Sequence, residues 1–314
     1  MNLKNIISKY GIFVALLLLI VFFSISSKAF LTPDNIINIL RQVAVIGICA
    51  VGMTFVILTG GIDLSVGSII GVAGVLCAKL MVMGMDPVIA SIASMAVGCA
   101  LGLLNGFLIN EMLIPPLIAT LGTMTSLRGV AYLITKGLPI YGFPASFTGL
   151  GQGYVWIIPI PVIIMAIVFV AGYVVLNRTV FGRYVYGIGG NEEASRLSGV
   201  DIKKVKYAVY AIGGFLASLA GVVLVSRVNS GQPKAGDGYE MSIITAVVLG
   251  GVSIVGGAGS IMGVIMGVMI MGVLSNGMIL MNVDDYYQRI VTGAVLLAAV
   301  ALDQLSKKKG SEMK

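Results

Sequence analysis

Residues 177–206 read NRTVFGRYVYGIGGNEEASRLSGVDIKKVK, the one long charge-dense stretch in an otherwise apolar chain. Arg178, Arg183, Arg196, Lys203, Lys204 and Lys206 stand there against Glu192, Glu193 and Asp201. The chain as a whole is 58% hydrophobic and 11% charged, with a mean hydropathy of +1.04. Soluble domains run at about 45–50% apolar and about 25% charged. The composition therefore specifies an all-α integral membrane protein. A polar stretch of this length between apolar blocks is a surface shown to a partner on one side of the bilayer.

Working outward from it, the 314 residues suit about ten transmembrane helices of about 20 residues with short connections. The apolar segments place them near 10–27, 42–58, 64–83, 88–109, 117–135, 157–176, 207–227, 242–256, 261–281 and 286–303. The whole chain, 1–314, reads as a single transmembrane domain with one charged loop at 177–206. Basic residues cluster in the N-terminal tail (Lys4, Lys9), the 177–206 stretch and the C-terminal tail (Lys307, Lys308, Lys309, Lys314). The positive-inside rule makes all three cytoplasmic. The ten segments put an even number of spans between each successive pair of clusters, as that rule requires. Residues 137–156, 228–241 and the Asp284–Tyr287 turn then fall outside, as solvated loops or docking surfaces. The apolar run from Tyr10 to Ile25 reads as an uncleaved first span, because Ser26-Ser27-Lys28-Ala29 is a poor cleavage site.

Several function classes are excluded. The net charge of +7 follows the bilayer's charge rule and is no nucleic-acid signal. The chain has no His, which removes the commonest metal ligand and general base. Cys49, Cys77 and Cys99 lie in apolar segments as small packed residues, so no metal site is expected. No phosphate-binding G-x-x-x-x-G-K-[ST] loop occurs, and no Lys follows a Gly. No nucleophile–base pair is visible. The chain is not expected to be an enzyme, and any ATP driving it would be hydrolysed by another chain.

Small residues recur at helix-packing spacing, Gly98, Gly102, Gly106 and Gly259, Gly263, Gly267, where backbones approach closely. Two Gly-bounded breaks look alike. One runs from Val56 through Thr59-Gly60-Gly61-Ile62-Asp63 to Gly71, the other from Val247 through Gly250-Gly251-Val252-Ser253 to Gly263. Interrupted helices of this kind line the pathway in many transporters, although both breaks here point the same way and so show no inverted repeat. Polar groups at membrane depth are costly and mark function. Asp63, Ser65, Asn105, Thr120, Thr123 and Asn276 are the candidate translocation pathway, suited to an uncharged polar solute. Asp63 is either a surface carboxylate or a group at depth within a broken helix. Arg128, inside the fifth span, is placed to pair with Asp63 or to cap a broken helix.

Within the charged stretch, Glu193-Ala194-Ser195 followed by Gly199 resembles the cytoplasmic E-A-A-x-x-x-G signature of bacterial ABC importer permeases. The Ile-x-Leu-Pro that follows in many of them is absent. AVGMTFVILTGGIDLSVGS (50–68), IATLGTM (118–124), GRYVYGIGGNEEASRLSGV (182–200), QPKAGDGYE (232–240) and AVVLGGVSIVGGAGS (246–260) together resemble the ribose-type sugar permeases of ABC importers. That resemblance implies a type II fold like that of vitamin B12 importers, with inverted halves, in a bacterial plasma membrane. It implies a second copy of the permease, an ABC ATPase subunit inside that holds ATP and Mg2+, and a sugar-binding protein outside. This chain would bind no cofactor itself. ATPase coupling would fall to Asn191, Glu192, Glu193, Ala194, Arg196 and Gly199, and binding-protein docking to Gln232, Lys234, Asp237 and Glu240. Permeases for another sugar, autoinducer-2 or branched-chain amino acids share much of the pattern. A secondary carrier is disfavoured by the scarcity of intramembrane acids.

Overall fold

The computed structural model describes residues 3–312. The basic tail residues Lys4, Lys9, Lys307, Lys308, Lys309 and Lys314 lie outside the residues whose side chains are described, so the charge rule at both termini has no counterpart here. Each apolar segment becomes a helix: α1 (Leu3–Ser26), α2 (Pro33–Leu58), α3 (Val66–Val82), α4 (Pro87–Asn110), α5 (Pro116–Thr135), α7 (Ile160–Arg178), α10 (Ile202–Val228), α11 (Tyr239–Leu249), α12 (Ile261–Leu280) and α13 (Asp285–Glu312). Short helices α6 (Ala145–Gln152), α8 (Val180–Gly190) and α9 (Glu192–Leu197) complete the set, with a two-stranded hairpin, β1 (Tyr154–Val155) and β2 (Ile158–Pro159). Among the described residues, α2, α4, α5, α7, α10 and α12 are long and apolar enough to cross a membrane. Three open on Pro at the first helical position, Pro33, Pro87 and Pro116, where the missing N–H costs nothing.

α10 is the hub, packed against α2, α3 and α4. The Gly98–Gly102–Gly106 ridge of α4 seats it: Gly98 faces Gly214 and Ser218, Gly102 faces Tyr210 and Ala211, and Gly106 faces Tyr207. The pairing runs in opposite directions, so α4 and α10 are antiparallel. Gly221 lies on Ile70 and Gly74 on Val225, so α3 runs parallel to α10. The second ridge packs α12 against α11, with Gly263 against Gly250 and Gly267 against Ala246. Both ridges do what their spacing predicts.

The chain departs from the sequence reading in four places. Residues 177–206 are helical through α8 and α9 rather than an open loop. The segment expected as a span at 242–256 ends its helix at Leu249. Most consequentially, 228–241 is no freely solvated loop. After α10 the chain turns at Asn229 (φ +50) and runs back along α3. Gly231 touches Ala78, Ala235 touches Gly71, and Gly236 touches Gly67. Two α3 glycines, Gly67 and Gly71, form the groove that admits this chain of turns; a Cβ at Gly71 would lie 2.7 Å from the Ala235 carbonyl oxygen. Residues 137–156 also fold back. Ile140 bridges to Gly231, and Ser226 Oγ fixes α6 by accepting from Gly151 N–H (2.7 Å) and donating to the Phe147 carbonyl (2.6 Å).

Gly102→Ala tests the hub. Its Cβ would press on the backbone of Tyr210 and lie 3.1 Å from Ala211 Cα, and overpacking of this kind costs about 1–3 kcal/mol. Thermal unfolding in nanodiscs should shift down, whereas Gly129→Ala, which has nothing within 4 Å, should leave the transition in place.

Candidate functional site at the paired helix breaks

Both breaks end their first helix in the same way. Gly60 (φ +78) and Gly251 (φ +82) take the left-handed position that glycine occupies without steric cost. Gly60 N–H donates to Ile57 O and Gly61 N–H to Val56 O; Gly251 N–H donates to Val248 O and Val252 N–H to Val247 O. Both restart on a serine. Ser65 precedes α3, and Ser260 Oγ accepts from Gly263 N–H at 3.1 Å to start α12. The sequence likeness therefore corresponds to a real structural repeat of helix end, turn and restart.

The breaks meet. Gly257 N–H donates to the Leu58 carbonyl at 2.9 Å, and a Cβ at Gly256 would lie 2.9 Å from Gly60 N. The C-terminal end of α8 closes this junction. Gly189 packs against both Leu58 and Gly257, a Cβ on Gly257 would lie 2.6 Å from Gly190 N, and Tyr186 Oη donates to the Gly259 carbonyl at 3.0 Å. A cleft of about 390 Å³ opens beside it, lined by Thr59, Gly60, Gly189, Asn191, Lys206 and Tyr210 among others.

Four of the six pathway candidates converge on the first break. Asp63 is 2% exposed, which settles its position as a buried group. Its Oδ1 accepts from the Ser65 N–H (2.8 Å) and hydroxyl (2.6 Å), and Asn105 Nδ2 donates to Ser65 Oγ at 2.8 Å. Thr120 Oγ1 accepts from Leu64 N–H at 3.1 Å and donates to Pro116 O at 2.8 Å. Thr123 bonds only to Thr120 O of its own helix, and Asn276 lies elsewhere in a reciprocal 2.9 Å pair with Asn35. Sequence reasoning missed Tyr210, which reads as one more apolar position of α10. Its hydroxyl is buried without a hydrogen-bond partner, beside Gly61. Arg128 does not reach Asp63: Nη1 donates to Ala235 O at 3.0 Å, and Nη2 lies 3.9 Å from Asp237 Oδ1. The pairing considered from sequence is replaced by one with the folded-back segment.

α9 is built as an exposed knob. Asn191 Oδ1 caps it by accepting from Ala194 N–H at 2.9 Å, and Glu192 and Glu193 occupy the first turn, where the helix dipole favours negative charge. Gly199 (φ +85) ends it, with Gly199 N–H on Arg196 O and Val200 N–H on Ser195 O. Glu192 binds Lys206 at 2.8 Å and Glu193 binds Arg196. Leu197 projects with 80% exposure, an apolar contact offered outward. Asp201 caps α10 through Lys204 N–H. The Lys204 ammonium and that N–H hold its carboxyl below the ordinary carboxylate range. The cap is thus present above the usual Asp pKa and lost only as pH falls through the lowered value.

Of the docking candidates, Gln232, Lys234 and Asp237 are exposed. Glu240 is 8% exposed with one carboxylate oxygen against Gly67. A buried side chain presents no docking surface, so that expectation is corrected.

Residues 35–300 match the family described as branched-chain amino acid transport system / permease component. The chain is 47% identical to the ribose import permease protein RbsC of Bacillus subtilis over 96% of this chain and 95% of that one. It is 46% identical to RbsC of Escherichia coli K12 over 92% of each, and 40% identical to the D-allose transport system permease protein AlsC of the same organism over 96% and 93%. No solved structure matches.

Gly189→Val should force α8 off the breaks. Hydrogen exchange is expected to show faster exchange of the Gly257 amide, whose partner is Leu58 O, with the α4–α10 core unchanged. Equal protection in the variant would mean that α8 does not hold the junction closed.

Proposed function

We infer the function from the premise that the chain belongs to the branched-chain amino acid transport system / permease component family: it is the multi-pass membrane permease subunit of an ABC sugar importer. The chain is not itself an enzyme. Its relatives at 44–47% identity over most of its length carry the name ribose import permease, so ribose is the solute we assign.

The finer reading is our proposal. About ten helices span the plasma membrane in a type II arrangement, with both termini and α9 cytoplasmic and a second copy completing the pathway. An ABC ATPase subunit, which supplies ATP and Mg2+, grips α9 at Glu193, Arg196 and Leu197, and an external sugar-binding protein docks over Gln232 and Lys234. The observation that carries the coupling role is the continuity from α9 through Asn191 to the end of α8, and from there to the junction of the two breaks. Movement of α9 shifts the element that closes Leu58 against Gly257. The buried Asp63–Ser65–Asn105–Thr120 cluster holds the first break in shape while that happens, and the pathway runs past it.

Proteoliposomes holding this chain, its ATPase and its binding protein should take up radiolabelled ribose only with ATP. Glu193→Ala should lower uptake at least about tenfold, equivalent to about 1.4 kcal/mol of coupling, with thermal unfolding of the permease unchanged; Gly199→Pro, which can neither take φ +85 nor donate to Arg196 O, should lower uptake as far by distorting the end of α9. Uptake by the chain alone would overturn the ABC reading, and undiminished uptake by both variants would overturn the role of α9.

A further inference from the structure

We propose that the end of the molecule opposite α9 holds a receiving site for a neutral polyhydroxylated solute, divided from a deeper cavity by Arg289. The proposal rests on the sugar-permease reading and adds a site on the permease itself. Two cavities share one wall. The first, about 540 Å³, lies between α5, the folded-back segment and the start of α13; the second, about 450 Å³, lies behind it between α2, α11, α12 and α13. Asp237, Asp285 and Arg289 line both. Both volumes fall within the range of about 300–1,000 Å³ usual for small-molecule sites.

The chemistry of the first cavity selects its ligand. Arg128, Lys234 and Arg289 are balanced by Asp237, Asp284 and Asp285, so the lining carries no net charge to attract an ion. What remains is a dense array of forked donors and two-oxygen acceptors, matched to vicinal hydroxyl groups. Tyr132 and Tyr286 line the same space and supply ring faces for the C–H side of a sugar. The second cavity has a mixed wall: Met271, Leu274 and Met278 are apolar, Arg227, Glu240 and Gln288 are polar, and Gln42 Oε1 there is buried without a partner.

Arg289 is held as a latch that a solute can open. Its Nη2 donates to Asp237 Oδ2 and its Nε to Asp285 Oδ2, each at 3.2 Å, with its side chain 55% exposed. Ion pairs this exposed contribute about 0–1 kcal/mol, so sugar hydroxyls can replace them at little cost and free the wall between the chambers.

The test uses the full chain alone in nanodiscs, without ATPase or binding protein, and measures binding of radiolabelled ribose, xylose, arabinose and allose by scintillation proximity. Saturable binding is expected for at least one sugar with Kd of about 1 mM, corresponding to about −4 kcal/mol. Tyr286→Ala and Arg289→Ala should weaken it at least about tenfold, and Glu193→Ala at the other end should not alter it. Tyr286 is 81% exposed, so its removal spares the fold. Absence of saturable binding by the wild type, or equal binding by both variants, overturns the site. ATP-driven uptake of the same sugars by the reconstituted complex is measured alongside: uptake without binding sinks only this site, whereas loss of uptake for all four sinks the sugar-permease reading.

Discussion

A helix that stops inside a packed protein leaves backbone N–H and C=O groups without their helical partners, and each one buried unmatched costs about 2–7 kcal/mol. The two breaks satisfy that constraint, and much of the molecule is arranged around how they do so. At the first, Gly60 and Gly61 return their N–H groups to α2, Asp63 takes the Ser65 N–H, and Thr120 takes the Leu64 N–H. The Leu58 carbonyl has no acceptor role left inside α2 and is met by Gly257 from the second break. Each break is thus stable in this form only with the other in place. Asp63 is held in the interior for the same reason: removing its carboxyl would leave the Ser65 N–H and hydroxyl, both of which donate to it, with nothing to meet.

Close backbone approach is the second consequence. The α8 end can reach Leu58 and Gly257 because Gly189 has no Cβ, and the chain after α10 can lie along α3 because Gly67 and Gly71 leave a groove. Glycine in a helix costs about 1 kcal/mol relative to Ala, so helical glycines such as Gly67, Gly71, Gly98, Gly102 and Gly106 carry a local penalty. It is offset by backbone-to-backbone packing, which lipid alone does not drive.

How much of this was legible follows from range. Apolar blocks, Pro at helix starts and the Gly ridges are local signals, and the helices and the α4–α10 and α11–α12 contacts appeared where those signals put them. The Glu193-Ala194-Ser195…Gly199 motif likewise produced a capped helix ended by a left-handed glycine. The folded-back segment was not legible. GQPKAGDG carries every mark of a solvated loop, and only the groove on α3 and the Arg128 guanidinium, distant in sequence, make its burial affordable. The same holds for Asn276, whose polarity suggested the pathway but is consumed by Asn35. Tyr210 gave no signal, because a tyrosine in an apolar helix usually packs its ring and its hydroxyl is judged only against neighbours.

The two ends of the molecule are stiff in different ways. At the α9 end, Gly189 and Gly190 join α8 to the breaks backbone against backbone, and the Tyr186 hydroxyl adds one side-chain bond to the Gly259 carbonyl. A push on α9 is therefore passed on rather than dissipated. At the opposite end, Arg128, Asp237, Arg289 and Asp285 form long, partly exposed ion pairs, each weak and each free to exchange partners. An alternating pathway needs this asymmetry. On the proposed function, an end driven by a partner's motion must be rigid enough to transmit it, and an end that accepts a solute must be loose enough to give way to hydroxyl groups. α10 couples the two, since it carries Tyr210 beside the first break and ends at Val228, where the chain turns back toward Asp237.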